Sequence, residues 1–145
     1  MIGREGVARL IPHAGSMCLL DGVVAWDQDT ITCRSVAHRA RDNPLRQGDR
    51  LGALAGIEFA VQAMAAHGRL VGTVDERPRA GFIASLRDIV CRCERLDQFV
   101  DELVVTARRL MDNGEHVMYA FAIACDTREL VAGRAVVVLQ ADIPR

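Results

Sequence analysis

The sequence predicts an α+β fold in which a curved antiparallel sheet surrounds one long buried helix. Three observations support this prediction: residues 54–68 are apolar on almost every face, two strand patterns precede them, and four consecutive strand patterns follow. A helix that is apolar all round belongs in the middle of a core, and strands joined by short turns pair antiparallel. A single sheet must therefore wrap a single helix.

The composition is that of a globular domain with no electrostatic signature for a polyanion. The chain has 145 residues, half of them apolar, which predicts one domain over 1–145 that folds without metals or disulfides. The formal net charge is -1, with acidic and basic residues interspersed. Nucleic acid and anionic membranes are therefore not expected partners.

The compartment is predicted from the cysteines and from the chain start. The five cysteines form an odd, scattered set without zinc-ligand spacing, which favours reduced thiols and predicts neither a metal nor a cofactor. Residues 1–10 are charged throughout, and no segment reaches the roughly 18 uninterrupted apolar residues of a membrane span. We therefore expect a cytoplasmic protein.

The elements before the long helix are a β-hairpin and its flanking turns. Pro12 and Gly15 favour a turn, and the alternation of Ile31 and Cys33 with polar residues is typical of a strand. The predicted elements are a short helix or turn at 7–10, a turn at 12–16, strands at about 18–26 and 31–38 joined by the turn 27–30, and a loop at 39–53.

Residues 54–68 are predicted to form the central helix, with Gly68 in the position of a C-terminal cap. Only Glu58 and Gln62 interrupt its apolar pattern; because they are four residues apart, they project from one face and can touch. A carboxyl group in such surroundings must be paired, hydrogen-bonded or kept neutral. Two interpretations stay open: a structural Glu satisfied by Gln62 and backbone amides, or a general acid that burial keeps protonated at the end of an acyl pocket.

Four strands are predicted after the helix. Asn113-Gly114 is a strong signal for a hairpin turn between the second and third of them. In the first strand, Phe82 and Leu86 share one face in the pattern, whereas Ile89 falls on the other, which indicates a bulge near Arg87 and Asp88. The predicted strands are about 81–96, 102–111, 116–125 and 130–139.

Three stretches together resemble a known family. They are residues 12–21 (Pro-His-Ala-Gly-Ser-Met-Cys-Leu-Leu-Asp), 43–46 (Asn-Pro-Leu-Arg) and 56–65 (Gly-Ile-Glu-Phe-Ala-Val-Gln-Ala-Met-Ala). They are similar to the hotdog-fold 3-hydroxyacyl-[acyl-carrier-protein] dehydratase-like family, and most of all to its divergent subgroup linked to aryl-polyene and related pigment gene clusters. The resemblance covers about residues 9–139.

The resemblance implies a hotdog fold and a reaction. That reaction is dehydration of a 3-hydroxyacyl thioester, bound to an acyl carrier protein or to CoA, to the 2-enoyl thioester in fatty-acid-like or polyene biosynthesis. The resembled enzymes pair two subunits into one continuous sheet. We therefore expect a homodimer or a dimer of related hotdog subunits, with the site at the interface.

The resemblance also implies roles for individual residues. Glu58 is the expected general acid, and Gly56, Gln62 and His38 are the expected substrate-binding residues. Backbone N–H groups at the Gly56 end of the helix, with the positive end of its dipole, suit a thioester oxygen that gains charge. The absence of a side chain at Gly56 would let the substrate approach closely.

The usual catalytic histidine is missing from its expected position. The common dehydratases carry it in a Gly-His-Phe-Pro stretch ahead of the helix, whereas residues 47–52 here contain no His. His13, in a turn that lies near the site in the resembled enzymes, is the first candidate for the base, with a surface or turn-stabilising role as its alternative. His38 is the second candidate, His67 is expected to cap the helix, and His116 is expected to be solvated.

Two other functions stay open from the sequence. A hotdog acyl-thioesterase would use an acidic residue on the same helix to activate water. A non-catalytic acyl-binding or assembly subunit would account for the missing histidine, although it leaves the retained Glu58 and Gln62 without a purpose.

Overall fold

The computed structural model describes residues 1–12, 15–72 and 81–139, and it confirms the predicted α+β architecture. Within these residues, no helix is long and apolar enough to cross a membrane. The helices are α1 (Arg4–Leu10) and α2 (Gly56–Val71); the strands are β1 (Ile2–Gly3), β2 (Gly22–Trp26), β3 (Thr30–Ser35), β4 (Gly81–Cys91), β5 (Leu103–Asp112), β6 (His116–Cys125) and β7 (Arg128–Leu139).

All strands belong to one antiparallel sheet in the order β1-β2-β3-β5-β6-β7-β4. The strict alternation of buried and half-buried residues along β3 and β6 shows that one face of the sheet is covered. We call this the inner face, because α2 packs on it, and the opposite side the outer face. The predicted hairpins β2–β3 and β5–β6 are both confirmed, the second with Gly114 at a φ of 90° in its turn.

Helix α2 is covered on one side and partly open on the other. Phe59, Ala60 and Ala63 are fully buried against the sheet, whereas Leu54, just before the helix, is 64% exposed. Helical spacing places Glu58 and Val61, which are both half-buried, on the same open side. The apolar pattern therefore predicted the helix correctly, but it did not indicate that one flank lies outside the core of the single chain.

The end of α2 differs from the prediction. The helix continues to Val71 and is capped at Gly72, whose N–H donates to the carbonyl oxygen of Gly68, so the predicted cap at Gly68 is wrong. At the other end, a 3-10 turn (Ala53–Ala55) leads into the helix. The prediction failed because a glycine inside a helix costs only about 1 kcal/mol, which tertiary packing overrides.

The first long strand begins later than predicted. Strand β2 starts at Gly22, and residues 18–21 are irregular although they are apolar. The backbone of Leu19 bonds to side chains of other elements, which replace the ladder of a regular strand: its N–H donates to Gln62, and its carbonyl accepts from Ser35. Hydrophobic periodicity does not reveal such partners, because they come from distant parts of the chain.

Strand β4 is the long free edge of the sheet, and it carries two bulges. The predicted bulge near Arg87 and Asp88 is confirmed: Asp88 has a φ of 55° and forms an ion pair with Arg134 of β7. A second bulge between Ile83 and Ser85 changes which residues of the strand share a face. Phe82 therefore shares the outer face with Val138, while Leu86 shares the inner face with Ala135, so their predicted common face is wrong.

The inner face of β4 is apolar but uncovered in the single chain. Leu86 is 41% exposed and Ile83 is 36% exposed, because α2 lies against β3, β5 and β6 and does not extend over this edge. An apolar surface beside an unpaired strand edge is typical of an interface with another subunit.

His67 lies in the core, so the predicted capping role is wrong. Its Nε2 is 3.0 Å from the carbonyl oxygen of Asp27, and its Nδ1 is 2.7 Å from the hydroxyl of Tyr119. Because a carbonyl only accepts, Nε2 carries the proton and the Tyr119 hydroxyl donates to Nδ1. The ring thus ties α2 to the β2–β3 turn and to β6, and burial lowers its pKa.

We predict from His67 that acid destabilises the fold. The neutral form is preferred in the folded state, whereas in the unfolded chain the ring titrates near its ordinary pKa of 6.5. Unfolding therefore takes up a proton below about pH 6.5, and stability falls as the pH drops from there toward the lower folded-state pKa. Melting temperatures measured from pH 8 to pH 5 should be nearly constant above pH 7 and fall below 6.5.

His67→Gln should make that pH dependence shallower, since it removes the titrating ring. His116→Gln is the matched control, because His116 lies at the half-buried start of β6 and not in the core. Equal pH profiles for wild type and His67→Gln would contradict this explanation.

Candidate active site

Glu58 lies in the first turn of α2, on the side that the sheet does not cover. The side chain is half-buried, and the exposed Leu54 lies one helical turn before it on the same side. The positive end of the α2 dipole is at this terminus, which favours negative charge nearby. A carboxyl group in this position can exchange protons with a molecule that binds along the open flank.

Gly56 faces the sheet. A Cβ at this position would be 3.4 Å from Cγ2 of Val131 and 3.5 Å from Cδ1 of Ile123, which are van der Waals distances, so Gly56 lies directly against β6 and β7. Its N–H is also engaged, because the cap at Gly56 donates to the carbonyl oxygens of Ala53 and Leu54 in the preceding 3-10 turn. The role expected for Gly56 in substrate approach stays a prediction, and the geometry gives it a packing role.

The amide available at this helix end belongs to Leu54. The neighbouring N–H groups are engaged, since Ala53 donates to Glu94 and Ala55 donates to Gly52. In the described part of the chain, no acceptor lies in hydrogen-bonding position for the N–H of Leu54. This donor is at the start of the continuous 3-10 and α-helical segment and four residues before Glu58, where the dipole favours an oxyanion.

Gln62 is fully buried and bonds the chain's own backbone. Its Oε1 accepts from the N–H of Leu19 at 2.8 Å, and its Nε2 donates to the carbonyl oxygen of Met17 at 2.6 Å. One planar amide thus joins α2 to an irregular segment that is far away in sequence. The expected contact of Gln62 with substrate stays a prediction. Its hydrogen bonds to Leu19 and Met17 were not predicted from the sequence.

The segment around residues 17–21 is fixed from the opposite side as well. The hydroxyl of Ser35 donates to the carbonyl oxygen of Leu19, and the guanidinium of Arg4 donates to that of Cys18 at 2.9 Å. Asp21 accepts from the N–H of Val36 at 2.6 Å and forms an ion pair with Arg4 at 2.9 Å. This segment follows His13 in the sequence, and the predicted turn at 12–16 falls partly on residues 13 and 14, which lie outside the described residues.

His38 is buried and is not on the surface of the single chain. Its Nε2 is 2.8 Å from the carbonyl oxygen of Phe99 and therefore carries the proton, while its Nδ1 has no hydrogen-bond partner among the described residues. Burial lowers the pKa of His38, and the bond to Phe99 opposes that effect. The ring anchors the 3-10 turn Ala37–Arg39 to the loop before β5; its expected contact with substrate stays a prediction.

The loop that carries the histidine in the resembled enzymes is here a braced turn. Gln47 and Arg50 form an isolated bridge around Gly48, which has a φ of 66°. The N–H of Leu51 donates to Asp97 at 2.9 Å, and the Arg95 guanidinium beside Asp97 lowers the pKa of that carboxyl to about 2. The chain therefore enters α2 along a fixed path that presents no imidazole.

Two concave surfaces in the described part of the chain lie away from Glu58. One, of about 390 Å³, is on the outer face between β3, β5 and β6; another, of about 180 Å³, lies beside α1 and includes Arg4, Asp21 and Asn43. Neither is lined by Glu58. The described residues also contain no group of three or more metal-ligating side chains.

Comparison with known proteins identifies the family. The sequence matches the ApeP-like family, described as ApeP dehydratase, over residues 5–144. The chain belongs to this family. The match confirms the resemblance to the aryl-polyene type of dehydratase. Comparison with curated proteins found no match.

Solved structures confirm the hotdog fold. The dehydratase heterocomplex ApeI:P from Xenorhabdus doucetiae is 22% identical, with a TM-score of 0.82 and coverage of 93% of this ApeP-like chain and 91% of that one. A thioesterase from Haemophilus influenzae is 10% identical, with a TM-score of 0.67 and coverage of 97% and 92%. Thioesterase superfamily member 2 of zebrafish is 10% identical, with a TM-score of 0.64 and coverage of 94% and 95%. At such identities, the likeness supports the fold alone.

Several residues that shape the ApeP-like site were missed in the sequence. Ser35 had a signal, because it is a polar residue at an inward position of β3, where burial requires a hydrogen-bond partner. The sequence contained no such signal for Asp97 and Arg95, because a charged pair two residues apart in a loop is common on protein surfaces. The N–H of Leu54, which has no acceptor among the described residues, owes its position to where the 3-10 turn begins, and sequence patterns do not specify that start.

Proposed function

We propose that this ApeP-like protein dehydrates a 3-hydroxyacyl thioester, carried by an acyl carrier protein, to the 2-enoyl thioester in aryl polyene biosynthesis. Its family membership supports the reaction class. The observation that supports the site is the position of Glu58, half-buried at the start of α2 on the flank that the sheet leaves open.

The reaction needs an acid and a base at opposite ends of a short pocket. The base removes the proton on the carbon α to the thioester carbonyl, and the electron pair of that C–H bond forms the double bond. The bond from Cβ to the hydroxyl oxygen breaks, and the carboxyl group of Glu58 is the proposed donor of the proton with which the hydroxyl leaves as water. The N–H of Leu54 is the proposed donor to the thioester oxygen, which gains negative charge as the α-proton leaves.

His13 is the proposed base on this chain. A histidine is largely neutral and basic enough at pH 7, and residues 47–52 contain none. The segment that follows His13 is hydrogen-bonded to α2 through Gln62, which supports a place for its turn beside the helix that carries Glu58. His38 is a weaker candidate, because its ring is buried.

A second hotdog subunit is proposed to complete the pocket. The open flank of α2 and the inner face of β4 both expose apolar side chains in the described part of the chain, and the two concave surfaces named above are not lined by Glu58. The related structure from Xenorhabdus doucetiae is a dehydratase heterocomplex. The partner is thus a second copy of this chain or a related hotdog chain.

We predict that Glu58→Gln folds but loses dehydration. The amide is nearly isosteric with the carboxyl group but does not protonate the leaving hydroxyl, so the rate should fall by about two orders of magnitude or more. Formation of the conjugated enoyl thioester, followed by its absorbance, measures this rate. Near-normal turnover would remove Glu58 from the mechanism, and release of free thiol in place of enoyl product would indicate a thioesterase.

We predict that His13→Ala loses dehydration while its melting temperature changes little, since a turn residue makes few buried contacts. His38→Ala is the matched comparison: it should lower the melting temperature, because it removes the buried bond to Phe99, and yet keep most of its rate in an assay well below that temperature. An inactive His38→Ala beside an active His13→Ala would reassign the base. Full dehydration by both variants would mean that neither histidine is the base.

We predict that Leu86→Arg disrupts assembly. A charge on the uncovered inner face of β4 would have to be buried in the interface, so sedimentation should show a monomer at concentrations where wild type associates with its own copy or with a related hotdog subunit. Val24→Arg is the control, because Val24 is similarly exposed but lies on β2, near the other edge of the sheet. A wild-type chain that is monomeric and fully active alone would refute the interface.

A further inference from the structure

A short segment after β4 is hydrogen-bonded to the residues that lead into α2. The N–H of Ala53 donates to the carbonyl oxygen of Glu94 at 3.0 Å, and the N–H of Leu96 donates to the carbonyl oxygen of Leu51 at 2.8 Å. These backbone bonds bring the two segments together directly before the helix that carries Glu58. The start of α2 is therefore attached to a part of the chain that is distant in sequence.

Asp97 adds a side-chain bond to this attachment. Its Oδ1 accepts from the N–H of Leu51 at 2.9 Å, and its two oxygens pair with the guanidinium of Arg95 at 3.1 and 2.5 Å. The side chain of Asp97 is only 8% exposed, and Leu51 is fully buried. Because Arg95 lowers the pKa of Asp97 to about 2, the carboxylate acts only as an acceptor near neutral pH. Arg95 thus orients the carboxylate, and the carboxylate fixes the backbone of Leu51.

The position of Leu51 determines where the helical segment begins. Leu51 is three residues before Leu54 and seven before Glu58, and the 3-10 turn continues directly into α2. A shift at the start of a continuous helical segment moves the groups of its first turns together. The far end of α2 is fixed separately by His67, which is nine residues, or about 14 Å, beyond Glu58.

We infer that Asp97 is a positioning residue of the dehydratase: its carboxylate fixes the start of α2 and thereby places the Leu54 N–H and the Glu58 carboxyl group. This inference rests on the proposed function, in which Glu58 is the general acid and Leu54 donates to the thioester oxygen. Asp97 acts in this role through the N–H of Leu51 and not through contact with the substrate.

The role requires an acceptor oxygen at one particular place. Without it, the buried N–H of Leu51 has lost its partner, and the chain ahead of α2 must shift to find another. Asparagine offers an oxygen in the same place but no charge. Glutamate keeps the charge that pairs with Arg95, but its oxygens lie one methylene further from the backbone. These two substitutions separate the position of the acceptor from its charge.

The test measures kcat and KM of the assembled protein with a 3-hydroxyacyl thioester carried by an acyl carrier protein, at a temperature at which circular dichroism shows each variant folded. Asp97→Ala should lower kcat about 10-fold with KM within about twofold of wild type, because misplacing reacting groups by up to about 1 Å has an effect of this size. Asp97→Glu should show a similar loss. Asp97→Asn should keep kcat within about twofold although its melting temperature falls with the loss of the ion pair.

Tyr119→Phe is the matched control, since it removes a buried hydrogen bond to the same helix at its other end. It should lower the melting temperature and keep kcat. An equal loss of kcat in Tyr119→Phe and Asp97→Ala would mean that any loosening of α2 slows the reaction, which would overturn a specific role for Asp97. A loss in Asp97→Asn as large as in Asp97→Ala would also overturn it. If Asp97→Ala does not fold, the contrast between Asp97→Glu and Asp97→Asn decides.

Failure of the inference is distinguishable from failure of the proposed function. If Glu58→Gln is inactive but Asp97→Ala and Asp97→Glu keep kcat within about twofold, the positioning role is wrong and the reaction stands. If Glu58→Gln turns over like wild type, or if wild type shows no dehydration, the proposed function is wrong and the positioning role falls with it.

Discussion

The sheet covers helix α2 on one side only, and the functional features of the protein depend on which side that is. Gly56 lies on the covered side, beside Ile123 and Val131 of the sheet. With Phe59 and Ala63 packed on the same side, the rotation of the helix is fixed, and Glu58 is directed to the open flank. A rotation of half a turn would have buried the carboxyl group against the strands and exposed the apolar face.

The open flank of α2 and the inner face of β4 are two apolar regions that the described part of the chain leaves uncovered. The inner-facing Ile83 and Leu86 are exposed because the helix does not extend to them, and exposed apolar surfaces of this kind are typical of interfaces. The same partial coverage leaves the flank that carries Glu58 open to the proposed second subunit and substrate. The proposed assembly and the proposed general acid therefore depend on the same packing constraint.

The rest of the site is defined by side chains that bond to irregular backbone. Gln62 and Ser35 replace the missing strand ladder around Leu19, and Asp97 performs the same task for Leu51 ahead of α2. Such bonds satisfy buried polar groups and also fix loops that would otherwise have many conformations. In this ApeP-like chain, hydrogen bonds fix the loop at 47–52, which contains no histidine, in the same way as the segment that follows His13.

The sequence by itself determined the order of the elements, the hairpin at Asn113 and Gly114, the bulge at Asp88, the central helix and the dehydratase family. These follow from short-range rules, namely periodicity, turn chemistry and local motifs, which act within a few residues. The tertiary structure decided that β2 starts at Gly22, that His38 and His67 lie in the core, and that one flank of α2 is open. It also decided the role of Gln62, whose partners are 43 and 45 residues away in sequence, because burial and long-range hydrogen bonds exist only after the chain has folded.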